Sequence, residues 1–500
     1  MLTALVQPLR HPFVAAYVRL ARYLSLLCLT IGVGNALAVT EDLKIPNLGG
    51  SSTSLFSTDF EYNLGRNWLK MFRSQVPTSS DALLASYLEN LVFELVTHSE
   101  LQDRRLELII VDNPTINAFA VPGGVIGVHT GLWQYAQTED EFATVIAHEI
   151  AHLSQRHFSR RMELAQSQSG LNLAGLLAGI VLAATAGSDA GMAALTATQA
   201  ALQDQQLRYS RSNEAEADRV GMQTLVAAGM DPHAAPAMFE RMLAATRYSS
   251  GNRVPEFLRT HPLSEKRIAD TKNRALQYPK QIRPVSLRYQ LMRARAKVSL
   301  AKTPEQAVAQ FRSELEGQPR STEAARYGLV IALTRAGRAD EATLHLDTLL
   351  QGDNARVEYV LASADIDLVR GEPKRAADKI AARLKLSPGN HPLTMAYAKA
   401  LQQSQQAHIA EQILAEHAKR RPNDPSVWYE LAEVQGLAGN IVSLHRSRAE
   451  YFILTGNLNA AQRQLNYALK LTQNDFTVNS LINQRLREVL DMRAALYNEE

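Results

Sequence analysis

A beat of about 34 residues in the second half of the chain limits what it can fold into more than any other feature. Gly337 and Ala342 recur as Gly371 and Ala376, and the equivalent positions hold Lys302 and Ala307, Gln405 and Ala410, and Gly439 and Leu444. Pro319, Pro388 and Pro422 keep the same interval, with Asn354 where another is due. One such period accommodates two short helices and their connections. Small residues are expected to let the paired helices cross closely, and proline to stop the second helix before the next pair starts. A unit of this size cannot bury an apolar face alone, so neighbouring units are expected to stack into a solenoid.

The pattern resembles the tetratricopeptide repeats over about Arg288–Leu471, with Gly456 and Ala461 opening an out-of-phase final hairpin. An irregular helical bundle is the other arrangement the pattern allows. Solenoids of the tetratricopeptide kind usually present a concave face to a peptide or protein, so the resemblance implies a binding module. Pro284 marks the junction with a segment of mixed character, which places the expected domains at 39–283 and 284–500.

The first 38 residues read as an export signal. Arg10, Arg19 and Arg22 precede an apolar run from Leu24 to Val33, and Ala36-Leu37-Ala38 supplies an A-x-A cleavage pattern before Val39. The alternative is a retained anchor helix, although the run is shorter than a span requires. The chain has 53 Lys and Arg against 50 Asp and Glu, and without those three arginines 50 bases face 50 acids. A chain so balanced has no concentrated basic surface for a nucleic-acid backbone, and nucleic acid is excluded as a partner. Its one cysteine, Cys28, lies inside the signal, so the exported chain has neither thiol nor disulfide. Stability must come from packing, and any metal site from His, Asp and Glu.

In the first domain Leu106–Val111 is a β-rich run, and Ala118–Val128 holds a turn at Pro122-Gly123-Gly124 between apolar stretches. Three short strands including a hairpin are expected. A helix follows, opened by Thr138 and Glu141 at the spacing of a capping box, with an apolar stripe of Phe142, Val145, Ile146, Ile150 and Leu153. In its middle stands His148-Glu149-Ile150-Ala151-His152. Residues four apart share a helix face, so both imidazoles can grip one metal ion while Glu149 faces a metal-bound water. Burial of this helix argues against an idle pair, because unpartnered imidazoles beside a carboxylate are costly to bury. A third ligand is expected from Asn213–Asp218. Glu214 and Asp218 share a face there, which makes Glu214 the ligand and Asp218 the acceptor that fixes a ligand imidazole. Glu216 points roughly away and reads as a solvent-facing acid, with an exchange of roles as the alternative.

These motifs, with Asn117–Gly124 before them and Thr260-His261-Pro262 followed by Arg267-Ile268 after them, resemble the zinc metallopeptidase family of the CAAX prenyl proteases and the HtpX-type quality-control proteases. The resemblance covers about Asn117–Ile268. It implies a chain mainly of α-helix with a small β-sheet, a zincin-like metallopeptidase domain followed by an α-solenoid. It also implies one Zn2+ per chain on His148, His152 and Glu214, with Glu149 taking a proton from the attacking water. His261 has three readings: a donor to the oxyanion, a fourth zinc ligand that holds the enzyme off, or the cap of a turn before Pro262. The hairpin, with Asn117, Ala118 and Phe119, is either a plain core hairpin or an open edge along which an extended substrate aligns. His98, His129, His157 and His233 have no partners at metal spacing and read as ordinary.

The order of export signal, peptidase and repeats resembles the periplasmic assembly-enhancing proteases of Gram-negative bacteria. That family acts on outer-membrane proteins stalled during assembly, degrading some and helping others mature. The implied partners are unfolded or stalled outer-membrane proteins and, through the repeats, the β-barrel assembly machinery. Leu171–Ala186 is too short for a convincing span and reads as a buried or a membrane-apposed helix pair, the second of which allows peripheral membrane contact. The rival class is a repeat-based chaperone or scaffold with a silent or self-inhibited metal site.

Overall fold

The structure is a computed structural model that describes residues 56–168, 211–248, 256–280 and 283–497. The expected export signal and the Leu171–Ala186 segment lie outside the described residues. Two helices open the fold, α1 (Thr58–Gln75) and α2 (Ala82–Thr97), followed by β1 (Glu107–Val111), β2 (Ala118–Val121) and β3 (Val125–His129). The sheet order is β1-β3-β2, with β1 parallel to β3 and β2 antiparallel to it, so Glu107 pairs with Val125 and Ala118 with Val128. The three strands expected from the sequence are therefore present, and β2 is an edge.

Next come α3 (Thr130–Tyr135), α4 (Glu139–Ser154), α5 (His157–Gln168), α6 (Arg211–Ala227), α7 (Ala234–Tyr248), α8 (Glu256–Thr260) and α9 (Glu265–Ala275). Thr138 caps α4 by accepting from Glu141 N at 3.1 Å. The return bond differs from a capping box: Glu141 Oε2 accepts from Gln137 N at 2.6 Å, one residue further back. The apolar stripe understates the burial, since every residue from Glu141 to His152 is buried while Leu153 is only partly so. A helix enclosed on all sides must satisfy its polar residues internally.

Six helical hairpins complete the described residues: α10 (Leu287–Leu300) with α11 (Pro304–Glu316), α12 (Thr322–Arg335) with α13 (Ala339–Gly352), and α14 (Val357–Val369) with α15 (Pro373–Leu386). The rest are α16 (His391–Gln403) with α17 (Ala407–Arg420), α18 (Pro425–Leu437) with α19 (Ile441–Leu454), and α20 (Leu458–Leu471) with α21 (Phe476–Tyr497). The repeat alanines do sit at the crossings, with Ala307, Ala342, Ala376, Ala410 and Ala461 all buried.

The repeat glycines have a different purpose from the close crossing expected of them. Gly337, Gly371 and Gly439 have φ of 73°, 74° and 81°, and a Cβ on any of them would meet nothing within 4 Å. They end the first helix of each hairpin in the left-handed region, which a side chain disfavours. Gln405 occupies the same turn at φ 61°.

Helix α2 joins the two halves. Its Leu83, Leu84, Tyr87, Leu88, Leu91, Val92, Leu95 and Val96 are buried in one core that continues into the repeats as far as Val434. At about 1.5–3 kcal/mol for each large apolar side chain, this burial is a main source of cohesion. Asp81 caps α2 and pairs with Arg295 of α10. Tyr289 Oη donates to Ala136 O at 2.8 Å, Gln290 Nε2 to Gln137 O at 2.7 Å, and Asn423 Nδ2 to Glu107 Oε1 at 2.6 Å. The first helices α10 and α16 pack against α2, so part of the repeat surface is covered by the protein itself.

Gln405→Gly is expected to raise stability by about 1 kcal/mol by relieving the left-handed turn, and Gly371→Gln to lower it by a similar amount. Chemical denaturation of both variants checks this.

Candidate metal centre

Three elements converge on one point. Helix α4 supplies His148, Glu149 and His152, α6 supplies Glu214 and Asp218, and the turn after α8 supplies His261. Small residues bring α6 against α4: Ala217 and Val220 pack on Ala151, and a Cβ on Gly221 would lie 3.1 Å from His148 N. His261 is held by its own backbone, donating to Phe257 O at 2.8 Å, and by stacking of its ring on Phe257 with centroids 4.7 Å apart.

The ligand-type atoms of His148, His152, Glu214 and His261 all lie within 4.8 Å of one another, and all four residues are buried. His148 Nε2 is 3.0 Å from His152 Nε2 and 3.5 Å from Glu214 Oε2. His261 Nδ1 is 3.1 Å from Glu214 Oε1 and 3.4 Å from His148 Nε2. Glu149 stands to one side, Oε1 at 3.5 Å from His261 Nε2, and neither of its buried oxygens has a hydrogen-bond partner. Glu214 Oε2 is buried too, with Arg267 Nη1 2.8 Å away. Three imidazoles and a carboxylate with converging lone pairs are the donor set of a divalent metal, and the unpartnered Glu149 oxygens fit the same conclusion.

Asp218 Oδ1 lies 3.1 Å from His148 Nδ1, on the side of the ring away from the cluster. Arg267, which the sequence placed in a motif without a role, fills the space between the two acids of α6. Its Nη1 is 2.8 Å from Glu214 Oε2, and its Nε and Nη2 donate to Asp218 at 2.8 and 2.7 Å. Burial disfavours an ionised Asp218, but Arg267 and His148 outweigh it and hold the carboxyl below its ordinary value. Against the same burial, His261, His148 and His152 hold Glu214 well below its own. His148 is raised to about 9, because Asp218 and Glu214 overcome its desolvation. Burial raises Glu149, with His261 and His148 opposing. A carboxylate that binds a proton readily beside the cluster can act as a base.

Two readings of the sequence need correction. Glu216 points away from the cluster but is not simply solvated: its Oε2 is 3.0 Å from His157 Nε2 and 2.6 Å from Arg160 Nη2. His157, read as ordinary, is buried with Nδ1 2.8 Å from His152 Nδ1, and burial pushes it down to about 4. A position five residues after His152 gave no helical reason to connect them. His98 and His233 stay outside the cluster, and His129 bonds Thr115 Oγ1 at 2.8 Å.

Asn117 is buried with Nδ2 3.4 Å from His129 Nε2, and Ala118 is fully enclosed. Phe119 turns its ring over Gly127 towards Trp68 and Phe72. Their side chains thus face the interior, while β2 packs its backbone on α4 and, among the described residues, pairs on one edge only, with β3. Buried Glu256, at the start of α8, is raised to about 7 by desolvation and accepts from Thr115 Oγ1 at 3.3 Å.

These features define a metallopeptidase. Residues 82–275 match peptidase family M48. The chain is 34% identical over 437 residues to the beta-barrel assembly-enhancing protease of Escherichia coli, covering 87% of this chain and 88% of that one. It is 32% identical over 448 residues to the protein of the same name from Yersinia pestis, with 88% and 91% covered. The mitochondrial metalloendopeptidase OMA1 of Schizosaccharomyces pombe is 31% identical over 218 residues, 42% of this chain and 60% of that one. The chain belongs to peptidase family M48 and, within it, to the β-barrel assembly-enhancing proteases. No described helix is long and apolar enough to cross a membrane.

Arg267→Met leaves Glu214 and Asp218 with histidine partners only and is expected to cost about 3–5 kcal/mol in the metal-free protein, measured by denaturation. Glu256 is raised from 4.5 to about 7, so its contribution is fully present below its unfolded value and is lost as pH rises through about 7. Glu256→Gln should therefore flatten the fall in melting temperature across that window.

Proposed function

We propose that the chain is a zinc endopeptidase of the periplasm of a Gram-negative bacterium that acts on outer-membrane β-barrel proteins stalled during assembly. In this reading it degrades some clients and helps others mature. Residues 1–38 direct export, 39–283 hold the protease, and 284–500 recruit clients or the β-barrel assembly machinery. The observation that carries the reading is the buried cluster of His148, His152, Glu214 and His261 with the Glu149 carboxylate beside it.

An N/O donor set without thiolate suits Zn2+, held by His148, His152 and Glu214. Bound there, the ion supplies a Lewis acid for the attacking water and the scissile carbonyl. Glu149 takes the proton of the water and passes it to the leaving amine. The substrate lies extended along β2, using the backbone of Asn117, Ala118 and Phe119. Asp218 keeps His148 turned toward the ion. His261 is the fourth ligand of the resting site, a role supported by its Nδ1 lying among the other donors. When a substrate displaces it, the ring can donate to the oxyanion instead. That closure also favours the second reading, a repeat-based chaperone whose metal site stays shut.

The test is cleavage of an unfolded outer-membrane β-barrel protein by the exported chain, with zinc content determined in each variant. Glu149→Gln should keep its zinc and lose at least about 100-fold in rate. His261→Ala should cleave faster than the unaltered protein. A slower His261→Ala would assign the histidine to the transition state alone, and no cleavage by either would favour the chaperone.

A further inference from the structure

Both histidines of α4 need something to hold their rings, and the structure solves this in two unlike ways. His148 meets a carboxylate directly, Asp218 Oδ1 at 3.1 Å from Nδ1. His152 meets another imidazole: its Nδ1 is 2.8 Å from His157 Nδ1, and the two rings stand at 74° with centroids 4.8 Å apart. His157 Nε2 is in turn 3.0 Å from Glu216 Oε2, which also receives Arg160 Nη2 at 2.6 Å.

The proton count assigns this chain a direction. His152 enters the cluster through Nε2, 3.0 Å from His148 Nε2 and 3.5 Å from Glu214 Oε1. To offer a lone pair there, a neutral imidazole must carry its proton on Nδ1. His157 Nδ1 must then accept, which leaves the His157 proton on Nε2, facing the Glu216 carboxylate. The opposite direction would put a proton on His152 Nε2, inside the cluster, and set a bare His157 Nε2 against a carboxylate oxygen. Only the first assignment satisfies both the His152–His157 and the His157–Glu216 contacts.

The backbone is built to make this contact. On an unbroken helix, His157 would lie about 140° around the axis from His152. Instead α4 ends, Arg156 takes φ 50°, and α5 begins at His157, so the chain turns back under His152. Left-handed backbone at a residue other than glycine needs support. Arg156 has it in Glu61, 3.0 and 2.6 Å from Nε and Nη2, and in Phe56 O at 2.5 Å.

We propose that His157 is a positioning residue for the metal centre: it accepts the Nδ1 proton of His152, is anchored through its own Nε2 proton on Glu216, and so keeps His152 Nε2 turned into the cluster as a ligand. The proposal rests on the metal-binding reading given above, and on no change of charge at His157. An acceptor behind a ligand histidine typically changes metal affinity by about 10- to 100-fold.

The experiment measures the rate at which the zinc-loaded full-length protein loses Zn2+ to a chromophoric chelator, with melting of the metal-free proteins as the control for folding. His157→Phe, which fills the space but cannot accept, is expected to lose Zn2+ about 10- to 100-fold faster than the unaltered protein. His157→Gln, whose amide oxygen can accept, should stay within about threefold, and Glu216→Ala should lose Zn2+ faster than Glu216→Gln. A His157→Phe rate equal to that of the unaltered protein overturns the proposal. So does a His157→Gln rate as fast as that of His157→Phe, because His157 would then only fill volume. If His157→Phe does not fold, equal rates for the two Glu216 variants overturn it. An unaltered chain that holds one Zn2+ but cleaves nothing counts against the proposed activity and leaves this result standing, whereas one that takes up no zinc overturns both.

Discussion

Three imidazoles and three carboxylates buried within a few ångströms of one another set the terms for the rest of the structure. Unpaired charges in such a place would cost more than a domain of this size can spare. The surroundings answer with Arg267 between Glu214 and Asp218, and with Glu216 and Arg160 behind His157. A metal ion completes what these partners leave open, the lone pairs that point inward. Metal binding and folding of the centre are therefore linked.

The centre depends equally on rigid supports. Helix α4 is enclosed throughout from Glu141 to His152, so its side chains have little freedom to turn. Gly221 and Ala217 let α6 approach until its carboxylates reach the histidines. The third contributor is different in kind. His261 stands on a turn after the five-residue helix α8, tied to the sheet region through Phe257 N and Ile116 O at 3.2 Å. A group on a short turn can shift more readily than one on an enclosed helix. The peptidase elements and the repeats share one core through α2, joined by apolar burial and by Asp81, Tyr289 and Gln290 rather than by any covalent link.

Much of the fold was legible because local rules carry it. The capped start at Thr138, the hairpin turn at Pro122–Gly124 and the repeat interval are all written in short stretches of sequence. The meaning of a marker was less legible than its position. Gly337, Gly371 and Gly439 looked like space for a helix crossing, yet open space surrounds them and their conformation is what the turn requires. The alanines five residues later are the ones at the crossing. Arg267 could be quoted but not assigned, since its partners lie on α6, far away in the chain. Glu216 and His157 were misread because α4 ends at a left-handed Arg156, and no hydrophobic period reports such a break.

The sequence by itself determined what repeats at short range: two histidines and two acids each placed on one face of a helix, and a solenoid whose units are alike. The helical period dictates these relations wherever the helix sits. Tertiary structure alone decided which faces meet, that His261 enters the same cluster as His148, His152 and Glu214, and that an imidazole rather than a carboxylate backs His152. Such contacts join residues separated by long stretches of chain. They are chosen by packing and by the need to partner every buried polar group, and neither constraint is visible until the helices are brought together.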